Sequence, residues 1–406
     1  MLTTLLYLWT AALAGATLLW GWINIAATHR STLKHPLEPD TNPSTANLPP
    51  VALLAPGRNE AEHLPQTLPS LASQNYPDYR CLFIDDDSTD DTRAITARLT
   101  DEHPNLHVLH NTTPPPEGWV GKPHAIYRGY QHLLQLEQAT NQRDEWLCFT
   151  DADIHWHPDC LRSAMRLGQQ HNADLIALYP GLRFGSVAEA IVQVQLVLAL
   201  GVLYPFDKAM DPKHPDTLTG GAFMLVRRSH YDAIHGHESV KNLVVEDLAL
   251  GKKLKKNGAR VRLAVARDLL WCRMYNGWQD QWEGLTKNAY GGLRYNPIRA
   301  TLVLSATLLF NILPALSLPL FATAWALTAN PIYTWPTLLA LAATLLGVRA
   351  MNASRKFAEL PWPYALSLAP GSILYLAIIL ASIRDYYTAG NTWKGRTYGT
   401  ETKPRG

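Results

Sequence analysis

The stretch CLFIDDDSTDDT, residues 81–92, decides the fold class of this chain. Its first half is an apolar run that predicts a buried strand, and the run ends in three consecutive carboxylates, Asp85, Asp86 and Asp87. Aspartate and serine also stop strands by bonding their own backbone, so a solvated turn explains the stretch as well as a ligand site does. The choice between these two interpretations depends on the surrounding sequence.

The region around this stretch alternates between strand and helix patterns. Short apolar runs at 51–56, 79–87 and 106–111 predict strands, and the segments 62–73 and 92–103 between them predict helices. Such alternation is typical of a mostly parallel sheet with helices on both faces. The predicted fold class is therefore α/β.

A second acidic strand end lies at EWLCFTDAD, residues 145–153. Open parallel sheets bind ligands beyond the carboxyl ends of their strands, so a recurring acidic end favours a ligand site over a turn. Asp151 and Asp153 offer the oxygen ligands that Mg²⁺ and Mn²⁺ prefer, and Mg²⁺ typically takes only one or two protein carboxylates. The pair predicts a divalent metal site, although a bare DxD pattern is common by chance.

Two loops supply further polar residues for the same edge of the predicted sheet. The segment GWVGKPHA, residues 118–125, contributes Lys122, a point charge suited to phosphate. The loop PGRNE follows the first predicted strand and contributes four residues: Pro56, Arg58, Asn59 and Glu60.

Four uncharged apolar segments lie outside this region, at 2–26, 300–327, 335–348 and 364–383. A membrane-spanning helix needs roughly 20 apolar residues, so the segment 335–348 is short for a span. Three crossings by the last segments would place Arg384, Lys394 and Arg396 outside, so one of these segments is expected to be re-entrant or interfacial. The first segment lacks the basic start of a cleavable signal peptide, an alternative that its ALAGA sequence leaves open, and predicts an uncleaved anchor.

Basic residues predict the orientation of these segments. Arg30 and Lys34 follow the first one, and Arg349, Arg355 and Lys356 are expected to form a loop between the last two. Because positively charged segments are retained on the cytoplasmic side of the membrane, both of these basic segments are predicted to face the cytoplasm. The chain is thus predicted to be a multi-pass protein of the cytoplasmic membrane.

Composition divides the chain into five predicted parts. The 406 residues carry a formal net charge of +2 without a basic stripe of interleaved aromatics, so no nucleic-acid partner is expected. The four cysteines show no CxxC spacing and predict reduced packing residues. The parts are a transmembrane anchor at 1–30, a linker at 31–49, a cytoplasmic domain with the acidic strand ends at 50–295, a transmembrane region at 300–385 and a basic tail at 386–406.

The chain resembles family 2 glycosyltransferases at five successive motifs. With its membrane segments it resembles more narrowly the hopene-associated, carotenoid and ceramide glycosyltransferase branch, which LYPF at 203–206 and WKGRTY at 393–398 also favour. The five motifs are the stretch 55–92, GK at 121–122, TDADIHWHPDCL at 150–161, TGGAFMLVRRSHYDAIHGHESV at 219–240 and VEDLALGKKLKKNG at 245–258.

The resemblance implies a GT-A-like fold and a nucleotide-sugar donor. In that family the residues matching Asp85, Asp87 and Glu60 hold the nucleoside of a UDP- or GDP-sugar. Those matching Asp151 and Asp153 hold the diphosphate and a divalent metal, Mg²⁺ or Mn²⁺. The other candidates for donor binding are Pro56, Arg58, Asn59 and Lys122.

The resemblance also places the catalytic base in VED, at 245–247. The matching residue is Asp247, and Glu246 beside it is the second catalytic candidate. Inverting transfer to a hydroxyl requires a carboxylate opposite the leaving nucleotide, whose charge the metal and Lys122 would neutralise. The alternative is that both acids only begin the following helix, where negative charge suits the helix dipole.

One departure from the family concerns chain synthesis. Processive polysaccharide synthases carry QxxRW, whereas here Trp278 stands in place of Gln and Gln281 in place of Arg, and only Trp282 is kept. The departure predicts a single transfer. Trp282 and Lys287 are candidate contacts on the acceptor side, and membrane-interface anchoring is the alternative for the tryptophans.

The apolar stretch 191–206 lies inside the predicted cytoplasmic domain. A buried core helix and an interfacial helix against the membrane are both open interpretations. The predicted function is transfer of one sugar from a nucleotide sugar to a hydroxyl of a lipid acceptor, which is isoprenoid, carotenoid, hopanoid or sphingolipid-like. The alternatives are a polysaccharide-chain synthase, a nucleotidyltransferase-like protein and a non-catalytic membrane scaffold.

Overall fold

The structure is a computed structural model that describes residues 2–28, 36–40, 48–293, 295–388, 391–393 and 396–398. Contacts within the chain divide it into two units, each of which is described separately. The sheet unit comprises Thr32–Arg183 and Tyr204–Met274. The apolar-helix unit comprises Met1–Ser31, Phe184–Leu203 and Tyr275–Thr400.

A seven-stranded sheet forms the centre of the sheet unit. Its strand order is β3-β2-β1-β4-β8-β6-β9, and β8 alone runs antiparallel to its neighbours. The prediction of a mostly parallel sheet with helices is therefore confirmed. The strands are β1 Val51–Gly57, β2 Tyr79–Asp86, β3 Leu106–Asn111, β4 Trp146–Phe149, β6 Leu175–Tyr179, β8 Met224–Arg227 and β9 Val261–Val265.

Helices connect these strands and cover the sheet. A smaller sheet of β5 His155–Trp156, β10 Leu270–Cys272 and β7 Gly181–Leu182 adjoins it within the same unit. The helices of the unit are α2 Leu64–Ala72, α3 Thr92–Glu102, α4 Gly121–Thr140, α5 Cys160–Gln170, α7 Phe206–Met210, α8 Arg228–Ala233 and α9 Glu246–Lys256, with a 3₁₀ turn at Gly236–Val240.

The central strands are buried because both of their faces are covered. All seven residues of β1 are buried, and so is β2 from Cys81 onward. The four cysteines are free and buried, as the absence of paired spacing predicted.

The strand registers bring the acidic ends to one edge. Gly57 at the end of β1 pairs with Asp85 on β2, and Asp85 pairs with His110 on β3. Phe149 ends β4 and pairs with Leu54 of the parallel β1, so the chain leaves β4 toward that same edge. The carboxyl ends of these strands therefore carry the predicted site residues.

Among the residues that the structure describes, the apolar-helix unit holds four helical segments long and apolar enough to cross a membrane: Thr3–Ala26, Pro297–Thr328, Pro331–Phe357 and Trp362–Tyr387. Its helices are α1 Leu2–Thr28, α6 Val187–Leu203, α10 Trp278–Gly292, α11 Pro297–Ala306, α12 Leu313–Thr328, α13 Thr334–Phe357 and α14 Leu368–Tyr387. A π-helical stretch Thr307–Ile312, two 3₁₀ turns at Pro331–Tyr333 and Trp362–Ser367, and the hairpin β11 Asn391–Trp393 with β12 Arg396–Tyr398 complete it.

Two predictions about the segment 335–348 were wrong. It belongs to α13, which has 24 residues and is not short. Arg349, Arg355 and Lys356 lie within this helix and not in a loop, because arginine and lysine are good helix formers. Arg355 and Lys356 occupy its last turn, where positive charge suits the carbonyl end of the helix dipole. Arg30 and Lys34, most of the linker and most of the basic tail lie outside the described residues.

Helix α6 belongs to the apolar-helix unit, although its sequence lies between strands of the sheet unit. Val194 and Leu198 pack with Trp20 of α1 and Met351 of α13. Gln195 donates from Nε2 to Ser372 Oγ of α14 at 3.0 Å. Its buried side chains therefore do not belong to the core of the sheet unit, and its interfacial position stays a prediction.

Helix α1 is joined to the other helices of its unit by side-chain hydrogen bonds. Trp9 Nε1 donates to Ser317 Oγ at 2.8 Å, and Asn24 Nδ2 donates to the Leu346 carbonyl at 2.9 Å. Trp20 Nε1 donates to the carbonyl of Phe310, in the π-helical stretch, at 2.9 Å. These bonds satisfy polar groups that an apolar environment would otherwise leave unpaired.

Candidate active site

The carboxylate of Asp85 is buried at the end of β2 and accepts hydrogen bonds at both oxygens. Oδ1 accepts the backbone N–H of Ser88 at 3.0 Å, which fixes the turn after the strand. Oδ2 lies 2.9 Å from Nδ1 of His110, the residue that faces it on β3. Asp85 therefore fixes the turn and the imidazole ring together.

Asp86 and Asp87 have different surroundings because side chains alternate along a strand. Asp86 is buried and accepts a hydrogen bond from Asn111 Nδ2 at 3.0 Å. Asp87 leaves the strand in a left-handed conformation, with φ at 59°, and its side chain is exposed. Arg58 donates to the carbonyls of Asp86 and Asp87 at 2.8 Å and 2.5 Å, so it holds this turn.

The PGRNE loop is bonded to the same turn. Pro56 is buried within β1, and Asn59 accepts the N–H of Thr89 on Oδ1 at 2.8 Å. Glu60 donates its backbone N–H to Thr92 Oγ1 at 3.0 Å. The structure thus brings Arg58, Asn59 and the acidic turn together.

Asp90 has a local structural role. Its Oδ1 accepts the N–H of Thr92 at 3.1 Å and its Oδ2 accepts the N–H of Ala61 at 3.0 Å. Although burial opposes the change, these bonds lower the pKa of Asp90. The residue therefore supports the start of α3 and the PGRNE loop.

Lys122 joins two groups of carboxylates. It is the second residue of α4, and its Nζ lies 2.5 Å from Asp151 Oδ1 and 3.0 Å from Glu246 Oε1. Burial lowers the pKa of Lys122, but the charges of Asp151, Glu246 and Asp247 outweigh it and hold the pKa well above its usual range. Lys122 is therefore a fixed positive charge between the DxD motif and the start of α9.

A glycine from the TGGAF motif makes room for the ion pair of Lys122 and Asp151. A Cβ at Gly221 would lie 2.5 Å from Asp151 Oδ2 and 2.7 Å from Lys122 Nζ. The same motif contacts α9, where a Cβ at Gly251 would lie 2.2 Å from Thr219 Oγ1. Thr219 Oγ1 donates to the Asp247 carbonyl at 2.7 Å. The motif thus positions both acidic groups.

Asp247 lies in the first turn of α9, beside the buried Glu246. Its Oδ1 accepts the N–H of Leu248 at 2.7 Å. Burial and the charge of Glu246 raise the pKa of Asp247 to about 7, against the lowering effect of Lys122. A carboxyl with this pKa can accept a proton near neutral pH, which is the property expected of a general base.

The charges of Asp151 and Glu60 act on Asp153. Burial and the charges of Asp151 and Glu60 raise the pKa of Asp153 to about 7, while His63 lowers it. Within the part of the chain that the structure describes, no three His, Cys, Asp or Glu form a group that could hold a metal ion by itself. Two oxygen donors in a field of negative charge fit a divalent ion that completes its coordination with phosphate and water.

Three residues of this region were not identified from the sequence. Gly221 and His110 could have been found from a Gly-Gly pair and from a strand-end position. His237 gave no such signal; its Nδ1 lies 2.9 Å from the Tyr231 hydroxyl. Burial, and then the charge of Lys122, lower the pKa of His237 to about 3, so it packs beside the site as a neutral ring.

The predicted acceptor-side residues belong to the other unit. Trp282 packs against Tyr275 and Leu285 in the apolar-helix unit. Gln281 is fully buried there and donates to the Glu189 carbonyl at 3.2 Å. The acceptor-side roles of Trp282 and Lys287 stay predictions.

Comparison with known proteins gave two family matches and several relatives. The family described as Glycosyl transferase family 2 matches residues 54–234, and the one described as Glycosyl transferase family group 2 matches residues 146–348. Both matches include the DxD motif and Gly221, and the second also includes Glu246 and Asp247.

A curated relative and a solved structure illustrate this similarity, and each match covers most of the chain. The 4,4'-diaponeurosporenoate glycosyltransferase of Staphylococcus haemolyticus (strain JCSC1435) is 24% identical over 358 residues, which are 86% of this chain and 88% of the relative. Mannosyltransferase PcManGT from Pyrobaculum calidifontis, in complex with GDP-Man and Mn²⁺, superposes with a TM-score of 0.51 and 18% identity. That match covers 95% of this chain and 98% of the mannosyltransferase, and it shows a shared fold.

Proposed function

This chain belongs to glycosyl transferase family 2 and is a glycosyltransferase, and from that premise we propose the reaction that it performs. It transfers one sugar from a nucleotide-sugar donor to a hydroxyl of a lipid acceptor. The transfer inverts the anomeric carbon and depends on a divalent metal.

One observation carries the proposal: a single ammonium group contacts both the DxD acid and the acid beside the base. Lys122 Nζ lies within 3.0 Å of Glu246 and closer still to Asp151. A donor diphosphate held at Asp151 would therefore lie beside Lys122, with Asp247 one residue beyond Glu246. Leaving group, positive charge and base are thus within one small region of the sheet unit.

The proposed step is a direct displacement. The acceptor oxygen bonds to the anomeric carbon as the bond from that carbon to the diphosphate oxygen breaks, and the hydroxyl proton passes to Asp247. Lys122 stabilises the negative charge that develops on the departing diphosphate. Glu246, paired with Lys122, keeps that ammonium in place and raises the basicity of Asp247.

Asp151 and Asp153 would hold the metal. A bound divalent ion supplies charge neutralisation for the diphosphate. Asp151 and Asp153 supply two carboxylates, which supports this assignment, since Mg²⁺ typically binds through one or two protein carboxylates together with phosphate and water. The mannosyltransferase that shares the fold is described with Mn²⁺ and GDP-Man, which makes both suitable probes.

The acceptor is proposed from the four apolar helices and from the relative's name. Helices long enough to cross a membrane suit an acceptor that is itself dissolved in a membrane. The curated relative is named for 4,4'-diaponeurosporenoate, so carboxylate-bearing and hydroxyl-bearing lipids should both be tested. Gln281 supports a single transfer, because it is fully buried where processive synthases carry arginine.

The metal is tested by Asp153→Asn. The amide keeps the shape of the side chain but loses the charge that attracts the ion, so Mn²⁺-dependent binding of GDP and UDP should be lost while the melting temperature changes little. Calorimetric titrations with and without Mn²⁺ measure this. Unchanged Mn²⁺-dependent binding in the variant would remove Asp153 from the site.

A further inference from the structure

His110 is held by a buried carboxylate at the nucleoside end of the proposed donor site. Its Nδ1 lies 2.9 Å from Asp85 Oδ2, and the two residues pair across β2 and β3. The Asp85 side chain is 4% exposed and that of His110 is 32% exposed. The acid is therefore covered, and the imidazole is the accessible part of the pair.

The carboxylate decides which ring nitrogen carries the proton. An ionised carboxylate can only accept, so the short contact requires Nδ1 of His110 to be the donor. In the neutral ring Nε2 then has a free lone pair and acts as an acceptor. Among the described residues, Asp85 is the only partner that the His110 ring bonds, so Nε2 remains for a ligand.

From this geometry we infer that His110 Nε2 accepts the ring N–H of the donor nucleobase. The inference rests on the proposed nucleotide-sugar donor and specifies its base. Uracil and guanine carry a hydrogen on the ring nitrogen of their pairing edge, whereas cytosine and adenine carry a lone pair there. An acceptor on the protein attracts the first two and repels the second two, so the site selects UDP- or GDP-sugars.

Asp85 is less suited to this recognition than His110. Both of its oxygens already accept hydrogen bonds, one from the Ser88 backbone and one from the ring. The next residue pair across β2 and β3 is also unavailable to a nucleobase, since Asn111 is buried and bonded to Asp86. His110 is thus a specificity-determining residue, and Asp85 positions it by fixing its tautomer.

The test is equilibrium binding of UDP, GDP, CDP and ADP with Mn²⁺ to the full chain in detergent. These nucleotides share the ribose and the diphosphate and differ only in the base. The wild-type protein should bind UDP or GDP at least about 10-fold more tightly than CDP and ADP, because a mismatched polar group at a hydrogen-bonding site is costly.

His110→Ala and His110→Phe should remove this preference by weakening the better ligand about 10-fold while leaving CDP and ADP within about 2-fold. His107→Ala is the matched control, since it removes a partly buried histidine from the same strand. It should keep the wild-type preference. Melting temperatures show whether each variant is folded, and the two His110 variants differ enough in size that one is expected to fold.

Asp85→Asn separates base recognition from a structural role. An amide can donate to Nδ1, which moves the ring proton to Nε2 and makes that atom a donor. The preference should then shift toward CDP and ADP, a change that simple loss of structure does not produce. Equal preference in the wild-type protein, or unchanged preference in folded His110 variants, would overturn the inference. Failure of all four nucleotides to bind the wild-type protein would instead contradict the proposed donor class.

Discussion

Gly221→Ala changes the site at one defined point. The new Cβ would lie 2.5 Å from Asp151 Oδ2 and 2.7 Å from Lys122 Nζ. Because ordinary carbon–oxygen contacts are about 3.3 Å, the carboxylate must retreat by roughly 0.8 Å. A misplacement of about 1 Å can cost about 100-fold in rate, so we expect kcat/KM to fall 10- to 100-fold.

The cost in stability should be small by comparison. The side chains of Lys122 and Asp151 are 34% and 37% exposed, so both can move toward solvent without disturbing the core. Overpacking a closed core costs about 1–3 kcal/mol, and we expect Gly221→Ala to lower the free energy of unfolding by an amount at or below the lower end of that range. Gly220→Ala is the control, since a Cβ there meets none of the described atoms within 4 Å.

The assay is release of nucleoside diphosphate from the donor with a membrane-lipid acceptor, measured beside the melting temperature. Gly221→Ala should be folded and slow, and Gly220→Ala should resemble the wild-type protein. If Gly221→Ala keeps its activity within 2-fold (about 0.4 kcal/mol of barrier), Asp151 and Lys122 are not held as the structure indicates.

Three further changes test other parts of the account. If Asp247, with a pKa of about 7, is the base, it must be ionised, so kcat should fall as pH is lowered through 7 and Asp247→Asn should abolish this limb. Trp20→Phe removes the donor to the Phe310 carbonyl and should lower the free energy of unfolding by about 1–2 kcal/mol, measured by melting in detergent, without changing kcat. Reporter fusions after residues 290 and 356 should both report the cytoplasm, as the basic residues in the last turn of α13 suggest; an outside signal at 290 would contradict this orientation.

The strand ends were predictable because polarity changes sharply there. The apolar run before Asp85 predicts a buried strand, and parallel strands in alternation with helices bring their carboxyl ends together. The position of Lys122 near Asp151 was harder to predict from the sequence, because it depends on where α4 begins.

Long-range packing explains what the sequence did not reveal. A buried core helix and an interfacial helix show similar apolar patterns, so α6 could not be assigned to its unit from the stretch 191–206 alone. Likewise, Arg349 ends an apolar pattern without ending a helix, because arginine continues a helix as readily as leucine does. His110 and Asp85 are 25 residues apart, and only the strand register joins them.

The most direct test of the proposed function is mass spectrometry of total membrane lipids from cells that express the wild-type chain, Asp247→Asn or neither. The account predicts one hexose-sized mass increase on a single lipid class with the wild-type chain and none with Asp247→Asn, although the variant is folded and binds GDP or UDP with nearly unchanged affinity. A ladder of repeated sugar increments would contradict a single transfer. An equal increase with folded Asp247→Asn would contradict its role as the base.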